Sequence, residues 1–437
     1  KEFETELAIL KGRVDGLEAR VGELEATQFS TTTKLKGKTT FVLGANSFGG
    51  DAKNSLLDQF NIQNGPAGKT AAAKKAIKRA DSMADVAARS IGATTFNYDQ
   101  QLDFLTSFTG KDLLKLKLRA GNFGKSAFMG SYGIVAPDGY DYGSRSVLEA
   151  AFDEPVVANA VKVNRIFYQF PVGENFTVTA GGVVRQDDML AMWPSAYPAD
   201  TVLDFFTYAG APGAYNLALG GGAGIYWTSD DFSIATSYLS SNANDSNPNT
   251  GGFMTDGAGS SATTQIAYAP ENWGIAAAYT YASGANGPGL YVGNATAGAA
   301  AASGSSNTDS FGLSAWWMPE DSGIIPSISA GYGGTWAEYM NDDVYTNSWY
   351  VGLEWSDAFV DGNSLGVAVG QPTWIAESED GDLNEEAGFA WELFYKFQVT
   401  DNISVTPAIT YLSKPYPEQG SNGMNAFSGL IKTQFKF

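Results

Sequence analysis

The chain has neither cysteine nor histidine. Without cysteine there can be no disulfide, no thiolate metal site and no CxxC redox motif. Without histidine the commonest general base and the commonest metal ligand are both missing, and a Ser-His-Asp arrangement is impossible. No apolar run reaches the roughly 18 residues of a transmembrane helix. Positive charge is scarce as well. There are 27 Lys and Arg against 47 Asp and Glu, a formal net charge of -20, which argues against nucleic acid as a partner. No metal and no other cofactor is expected, and an enzyme is disfavoured because no paired carboxylates in a Ser or Tyr setting stand out.

What is present is glycine and aromatic residues, with 51 Gly, 21 Tyr and 26 Phe in 437 residues. That length suits two or three soluble domains or one large barrel. No signal peptide is visible, and Lys1 falls inside a heptad pattern, so the chain reads as a mature or truncated product.

Two periodicities divide the chain. In the first, Phe3, Leu7, Leu10, Val14, Leu17, Val21 and Leu24 alternate spacings of four and three. That is an unbroken a/d seam. A lone helix of this length is marginal in water, so the seam needs a partner, either other copies of the chain or its own domain. Val at a with Leu at d leans toward two strands. Gln28 at the next a position, with a barrel behind it, leans toward three. Residues 1–30 are therefore expected to form a coiled-coil oligomerisation helix.

After Thr31 the period becomes 2, the period of a strand. Thr39, Phe41, Leu43 and Ala45 alternate with Lys38, Thr40, Val42 and Gly44. Leu114, Leu116, Leu118 and Ala120 alternate with Lys115, Lys117 and Arg119. The same pattern recurs over 176–181, 273–281, 389–397 and 403–411, and the apolar rows tend to end in Trp, Tyr or Phe. Aromatic residues at both strand ends suit a barrel in a membrane, with a girdle at each interface. Short turns, such as 109–111, 172–174 and 400–402, alternate with long loops at about 49–92, 124–161, 187–213, 240–261, 283–308, 334–346, 371–387 and 412–426. The fold class expected for 31–437 is thus all-β, an antiparallel transmembrane β-barrel of about 16 strands, wide enough for an aqueous channel. In the last strand Phe427, Gly429, Ile431, Thr433, Phe435 and Phe437 form one face, and Lys432, Gln434 and Lys436 the other. A terminal alternating strand with an aromatic last residue is what barrel-assembly machinery is expected to recognise.

Three segments carry a family resemblance. Leu102-Asp103-Phe104-Leu105-Thr106-Ser107-Phe108-Thr109-Gly110-Lys111-Asp112-Leu113-Leu114, with Leu118-Arg119-Ala120-Gly121-Asn122-Phe123, closely resembles the cyanobacterial "iron uptake porin" group of the carbohydrate-selective porin superfamily. Asn164-Arg165-Ile166-Phe167-Tyr168-Gln169-Phe170-Pro171-Val172-Gly173 and Lys11-Gly12-Arg13-Val14-Asp15-Gly16-Leu17-Glu18 are similar to it too. The resemblance implies a trimeric 16-stranded barrel in the outer membrane, with a periplasmic coiled coil. It also implies an S-layer-homology domain, not in this chain, that binds peptidoglycan. No iron-ligand cluster in the sequence supports the word "iron".

A pore works through lumen-facing charge and through loops that narrow it. A Lys or Arg on the lipid face costs about 2–4 kcal/mol at the midplane, so Lys115, Lys117 and Arg119 are assigned to the lumen. Arg165 and Arg185 fall in the same phase on the next two strands, giving a basic wall that Lys38 extends. Two roles remain open for it: controlling selectivity, or being neutralised by acidic loops folded inward. Asp187, Asp188, Asp342, Asp343 and the cluster Glu377, Glu379, Asp380, Asp382, Glu385 and Glu386 are the loop acids. They read as outward solvated charge or as opponents of the wall. The loop 124–161, with Asp138, Asp141, Arg145, Glu149, Asp153 and Glu154, is the first choice for the constriction. The 51–92 loop, with Lys69, Lys74, Lys75, Lys78 and Arg79 on an expected helix, is the second. The leading functional expectation is passive diffusion of inorganic ions and small solutes across the outer membrane. A sugar-selective channel is the alternative: Trp316 and Phe394 fall in lumen phase but stand isolated from each other. A structural anchor between outer membrane and peptidoglycan is the third.

Overall fold

A computed structural model describes residues 32–50, 91–129, 146–152, 159–200, 202–283, 307–321, 323–339, 342–379, 388–414 and 425–437, with isolated positions at 3, 6, 10–14, 16 and 88. Sixteen strands close into one barrel. They are β1 (Thr33–Gly49), β2 (Thr95–Thr106), β3 (Leu113–Gly121), β4 (Lys162–Val172), β5 (Phe176–Arg185), β6 (Leu219–Ser229), β7 (Phe232–Ser240), β8 (Ser260–Tyr268), β9 (Trp273–Ala282), β10 (Thr308–Trp317), β11 (Ser327–Tyr339), β12 (Asp342–Ser356), β13 (Ser364–Ser378), β14 (Phe389–Thr400), β15 (Ile403–Ser413) and β16 (Asn425–Lys436). Each pairs antiparallel with its sequence neighbours, and β16 returns to β1. No edge is left open, as a sheet in hydrocarbon requires.

The alternation sorts the faces as expected. On β14, Trp391 and Leu393 point outward and are exposed, while Glu392 between them is 2% exposed. On β16, Phe427 and Ile431 face out and Lys432 faces in. Aromatic clusters mark both rims. At the short-turn end, Phe232, Tyr268 and Trp273 form a chain with ring centroids 4.5 and 5.4 Å apart. At the long-loop end, Phe311, Trp336 and Tyr345 do the same at 5.4 and 5.0 Å.

The seam between first and last strand depends on one glycine. Phe437 accepts a hydrogen bond from the Gly37 N–H at 2.6 Å and donates one back at 3.0 Å. Its ring lies over Gly37, where a Cβ would come within 2.2 Å of it. Gly37→Val is therefore expected to push the ring away and destabilise the seam by about 1–3 kcal/mol. The measurement is the temperature at which the folded barrel loses its compact mobility on gels, which should fall.

Two expected long loops prove shorter. Most of 334–346 is strand, because β11 runs to Tyr339 and β12 starts at Asp342. The Trp336 and Tyr345 rings meet across that hairpin, tilted, at 5.0 Å. β13 likewise continues to Ser378, well into the 371–387 segment. Of the N-terminal seam, Phe3, Leu10 and Val14 are helical and exposed. Leu7, Leu17, Val21 and Leu24 lie outside the described residues, as do Lys69, Lys74, Lys75, Lys78 and Arg79. Of the late acidic cluster, Asp380, Asp382, Glu385 and Glu386 also lie outside them.

Candidate functional site: an inward loop against a paired basic wall

The lumen face of β3 carries Lys115, Lys117 and Arg119, and β2 sets acidic and amide groups across from them. Lys117 Nζ lies 3.5 Å from Asp103 Oδ2 and donates to Gln101 Oε1 at 2.9 Å. Arg119 forks onto buried Asp99, with Nε donating to Oδ1 at 2.7 Å and Nη2 to Oδ2 at 3.1 Å. The planar guanidinium suits such a two-point contact. It also lies 4.7 Å from the Phe152 ring centroid.

The next two strands take their counter-charges from a loop. After β5 the chain makes a short 3-10 turn, Gln186–Met189, which points Asp187 and Asp188 into the lumen. Arg165 Nε donates to Asp188 Oδ2 at 2.5 Å, and Lys115 Nζ stands 3.9 Å from Asp188 Oδ1. Arg185 forks onto both oxygens of Asp187. Burial opposes ionisation of Asp187, but the Arg185 guanidinium outweighs it and holds the carboxyl below its usual range. Lys38 on β1 reaches Glu149 Oε1 at 3.9 Å. The structure thus brings all five wall residues and Lys38 to one side of the lumen and answers each with a carboxylate.

The segment that follows crosses the lumen. Residues 186–218 run from β5 to the opposite wall and back. Tyr197 OH and the Leu203 N–H both donate to Glu392 on β14, at 2.8 and 2.7 Å. The Ala196 and Tyr197 N–H groups donate to Ser329 Oγ on β11, and Ser195 Oγ lies 2.8 Å from Tyr350 Oη on β12. Ser314 and Ser348 donate to the carbonyls of Ala209 and Gly210 at 2.8 and 2.9 Å. Tyr197, Val202, Leu203 and Phe206 pack against Tyr350, Phe394 and Leu430 in the main apolar cluster. A loop so rich in Leu, Met, Trp, Phe and Tyr has no reason to sit in water, and the barrel interior is where it buries them.

Sequence reasoning places the constriction in 124–161. The described ends of that loop do turn inward: Phe123, Phe128 and Leu148 join the same cluster. Leu148 bridges Leu203, and the Asp204 N–H donates to the Val147 carbonyl at 2.9 Å. Among the described residues, the span across the lumen is made by 186–218. Glu149 stands at the site, whereas Asp138, Asp141, Arg145, Asp153 and Glu154 lie outside the described residues. The signal in the sequence that marks 186–218 is the apolar run Met189-Leu190-Ala191-Met192-Trp193 and its sequel Val202 to Tyr208, unlike the Gly, Ser, Asn and Ala of the 283–308 loop.

Between the inward loop and the basic wall lies a cavity of about 550 Å³, lined among others by Arg119, Arg185, Glu149, Asp187, Asp204 and Trp193. Trp193 leans edge-on against Tyr215 at 5.3 Å. Phe394, which strand phase assigns to the lumen wall, is covered by Tyr197 at 6.2 Å and offers no open ring face. Burial pushes the Asp204 carboxyl up to about 6, against a hydrogen bond from Tyr208 at 2.9 Å that works the other way. Asp204 is charged above that pH and neutral below it, and the chain has no histidine to titrate alongside it. Acidification from pH 7 to 5 should therefore lower the cation preference of the channel. With the substitution Asp204→Asn in place, reversal potentials measured over that range should change less than in the native chain.

The chain matches the description "Carbohydrate-selective porin, OprB family" over residues 1–187 and 202–437. It belongs to that family. As an OprB-family porin it has two similar cyanobacterial relatives. An uncharacterised protein of Nostoc sp. is 30% identical over the whole chain and 71% of the relative. An uncharacterised protein of Synechocystis sp. is 27% identical over the whole chain and 75% of the relative. Among solved structures, Pseudomonas putida OprB at high pH covers 95% of this chain and 96% of its own, with a TM-score of 0.55 at 12% identity. An anion-selective porin from Comamonas acidovorans covers 93% and 99%, with a TM-score of 0.50 at 11% identity. At such identities the likeness is one of fold, the same closed barrel. Family and fold together make this an outer-membrane channel protein.

Proposed function

We propose that this porin is a passive diffusion channel for inorganic ions and small solutes, sieved where the 186–218 loop faces the basic wall. The observation that carries the reading is the cavity of about 550 Å³ whose lining sets Arg119 and Arg185 against Glu149, Asp187 and Asp204. Opposed charges across a narrow aqueous space produce a transverse field, which favours small polar species over apolar ones. In this reading the five cations are largely neutralised where they stand, so the wall organises the constriction, and the small charge surplus beside it sets ion preference. Purified protein in planar bilayers should give discrete current steps in KCl. Absence of any step from barrels that are folded on gels would end the reading.

The family description names carbohydrate, and one contact favours a sugar-conducting reading: Trp193 reaches the cavity on a support of Tyr215. Tyr208 is the other ring in the lining, so stacking positions are few. Liposome swelling in glucose against an isotonic salt control separates the two readings, because a sugar channel swells faster in glucose.

The exposed helical positions Phe3, Leu10 and Val14 support self-association through residues 1–30. We assign that seam to a homotrimer on the periplasmic side, tied to peptidoglycan through a domain outside this chain. Cross-linking of the intact protein against a variant lacking residues 1–30 tests it.

A further inference from the structure

Most short turns of the barrel have polar tips. Those at 173–175, 230–231, 270–272 and 401–402 consist of Gly, Asp, Glu, Asn and Pro. The β2–β3 turn adds one exposed ring, Phe108, beside Tyr168. Two neighbouring turns differ. The turn between β10 and β11 presents Ile324 and Ile325, 94% and 61% exposed, and the turn between β12 and β13 presents Phe359 and Val360, 88% and 59% exposed. Phe359 also has a φ of 64°, a left-handed backbone that is an outlier for a bulky side chain. Strain of this kind persists only where the surrounding structure holds it, and it clusters at sites with a task.

Both turns are pinned to the outside of the barrel. Trp355 on β12 and Tyr395 on β14 flank Leu365 of β13 in one cross-strand row, in the same outward phase as Trp391 and Leu393. The Trp355 indole Nε1 donates to the Ile324 carbonyl at 2.7 Å. The Tyr395 hydroxyl donates to the Ala358 carbonyl at 2.6 Å and accepts from Asn363 Nδ2 at 3.0 Å. The Phe359 ring leans on Tyr395 at 6.0 Å, and Tyr395 meets Phe397 at 4.6 Å. The exposed tips are therefore continuous with the lipid-facing aromatic row, and each turn has a carbonyl satisfied by that row, as backbone close to hydrocarbon requires. Neither turn carries Lys or Arg. Glu320, Asp321 and Asp361 are exposed, and Asp357 accepts from the Gly362 N–H at 2.7 Å.

We infer that these two turns are an interfacial anchor, whose partner is a lipid surface with zwitterionic headgroups at the short-turn side, periplasmic in barrels of this class. The tips lie at the boundary between headgroups and acyl chains, where apolar side chains of interfacial segments are buried roughly 5–10 Å deep. That placement removes the exposed apolar area from water. The acids beside the tips remain at headgroup level and repel anionic lipid. In the order of the barrel, β11 and β12 lie across from β3 and β4. The hold is thus one-sided, on the rim opposite the basic wall.

The chain lacks cysteine, so a single Asp361→Cys carries a fluorescent label beside the tip, and Glu174→Cys carries it on a polar turn. Each is reconstituted in phosphatidylcholine vesicles whose acyl chains are brominated near the headgroup. The label at Asp361→Cys should lose about half its fluorescence, as expected for burial at that depth, and the label at Glu174→Cys much less. Adding Phe359→Gly/Ile324→Ser should reduce quenching at Asp361→Cys to the Glu174→Cys level. Both replaced side chains are exposed and Gly suits the φ of 64°, so the barrel is expected to fold, which gels check. Phosphatidylglycerol brominated at the same depth should quench Asp361→Cys less than phosphatidylcholine does. Equal quenching at the two turns, quenching that survives the double substitution, or quenching as strong in phosphatidylglycerol would overturn the proposal. So would an unquenched Asp361→Cys, the result expected if a soluble protein covers this rim. No current is measured, so the outcome is independent of what the channel conducts.

Discussion

Replacing residues 186–218 with a two-residue Asn-Gly turn is expected to raise single-channel conductance roughly threefold, since a 16-stranded barrel emptied of its inward loop keeps a wide aqueous bore. The replacement is geometrically natural. Arg185 and Leu219 are direct partners across the β5–β6 ladder, and a two-residue type I′ turn closes such a pair. The barrel's own ladders remain whole, so the folded form should still be visible on gels. Excision also removes Asp187 and Asp188, so a second variant separates space from charge. In Glu392→Ala the loop stays, but the Tyr197 hydroxyl and the Leu203 N–H lose their shared acceptor. Two buried donors left unpaired cost about 1–3 kcal/mol each. The 197–203 stretch should loosen, with noisier open currents and a conductance between native and excised. If both variants folded and conducted like the native chain, ions would not pass the loop at all.

The parts of this architecture that are legible in the sequence are those set by a local period. β3 can be read from Leu114 to Ala120 because a buried or lipid-facing row must alternate with a solvated one, and a misplaced lysine in hydrocarbon is costly. The same rule puts Arg165 and Arg185 in the lumen, where they are found. What a period cannot show is where a loop goes once it leaves the sheet. Asp187 and Asp188 are visible as loop acids with two possible directions. Only the anchoring of 186–218 on β11, β12 and β14, more than a hundred residues away, decides between them. The long hairpin of β11 and β12 departs from expectation for a related reason. The turn-forming Asn341-Asp342-Asp343 signals a loop, but the β11–β12 ladder runs on to Tyr339 and Asp342, with the Trp336 and Tyr345 rings in contact across it. Phe394 shows the limit of phase from the other direction. It does face the lumen, and it is the inward loop that covers it.

The constriction's selectivity should turn on few charges. In the cavity lining, Arg119 and Arg185 stand against Glu149, Asp187 and Asp204. Above pH 6, where Asp204 is ionised, the acids outnumber the cations by three to two, and a weak cation preference is expected. The double substitution Asp187→Asn/Glu149→Gln keeps shape and hydrogen-bonding capacity while removing two negative charges, leaving one acid against two cations. Two unit charges at roughly 8 Å from a passing ion in water are worth about 1 kcal/mol together, a factor of about five in the permeability of each ion. Because cation and anion respond in opposite directions, reversal potentials in a salt gradient should change sign. Arg185 would lose its ionic partner, so the variant's barrel must first be shown to fold. Lys115→Gln at the same gradient is the control: its distance of 3.9 Å from Asp188 and its absence from the cavity lining predict a much smaller shift. A double variant that kept the native reversal potential would move control of selectivity away from this cavity.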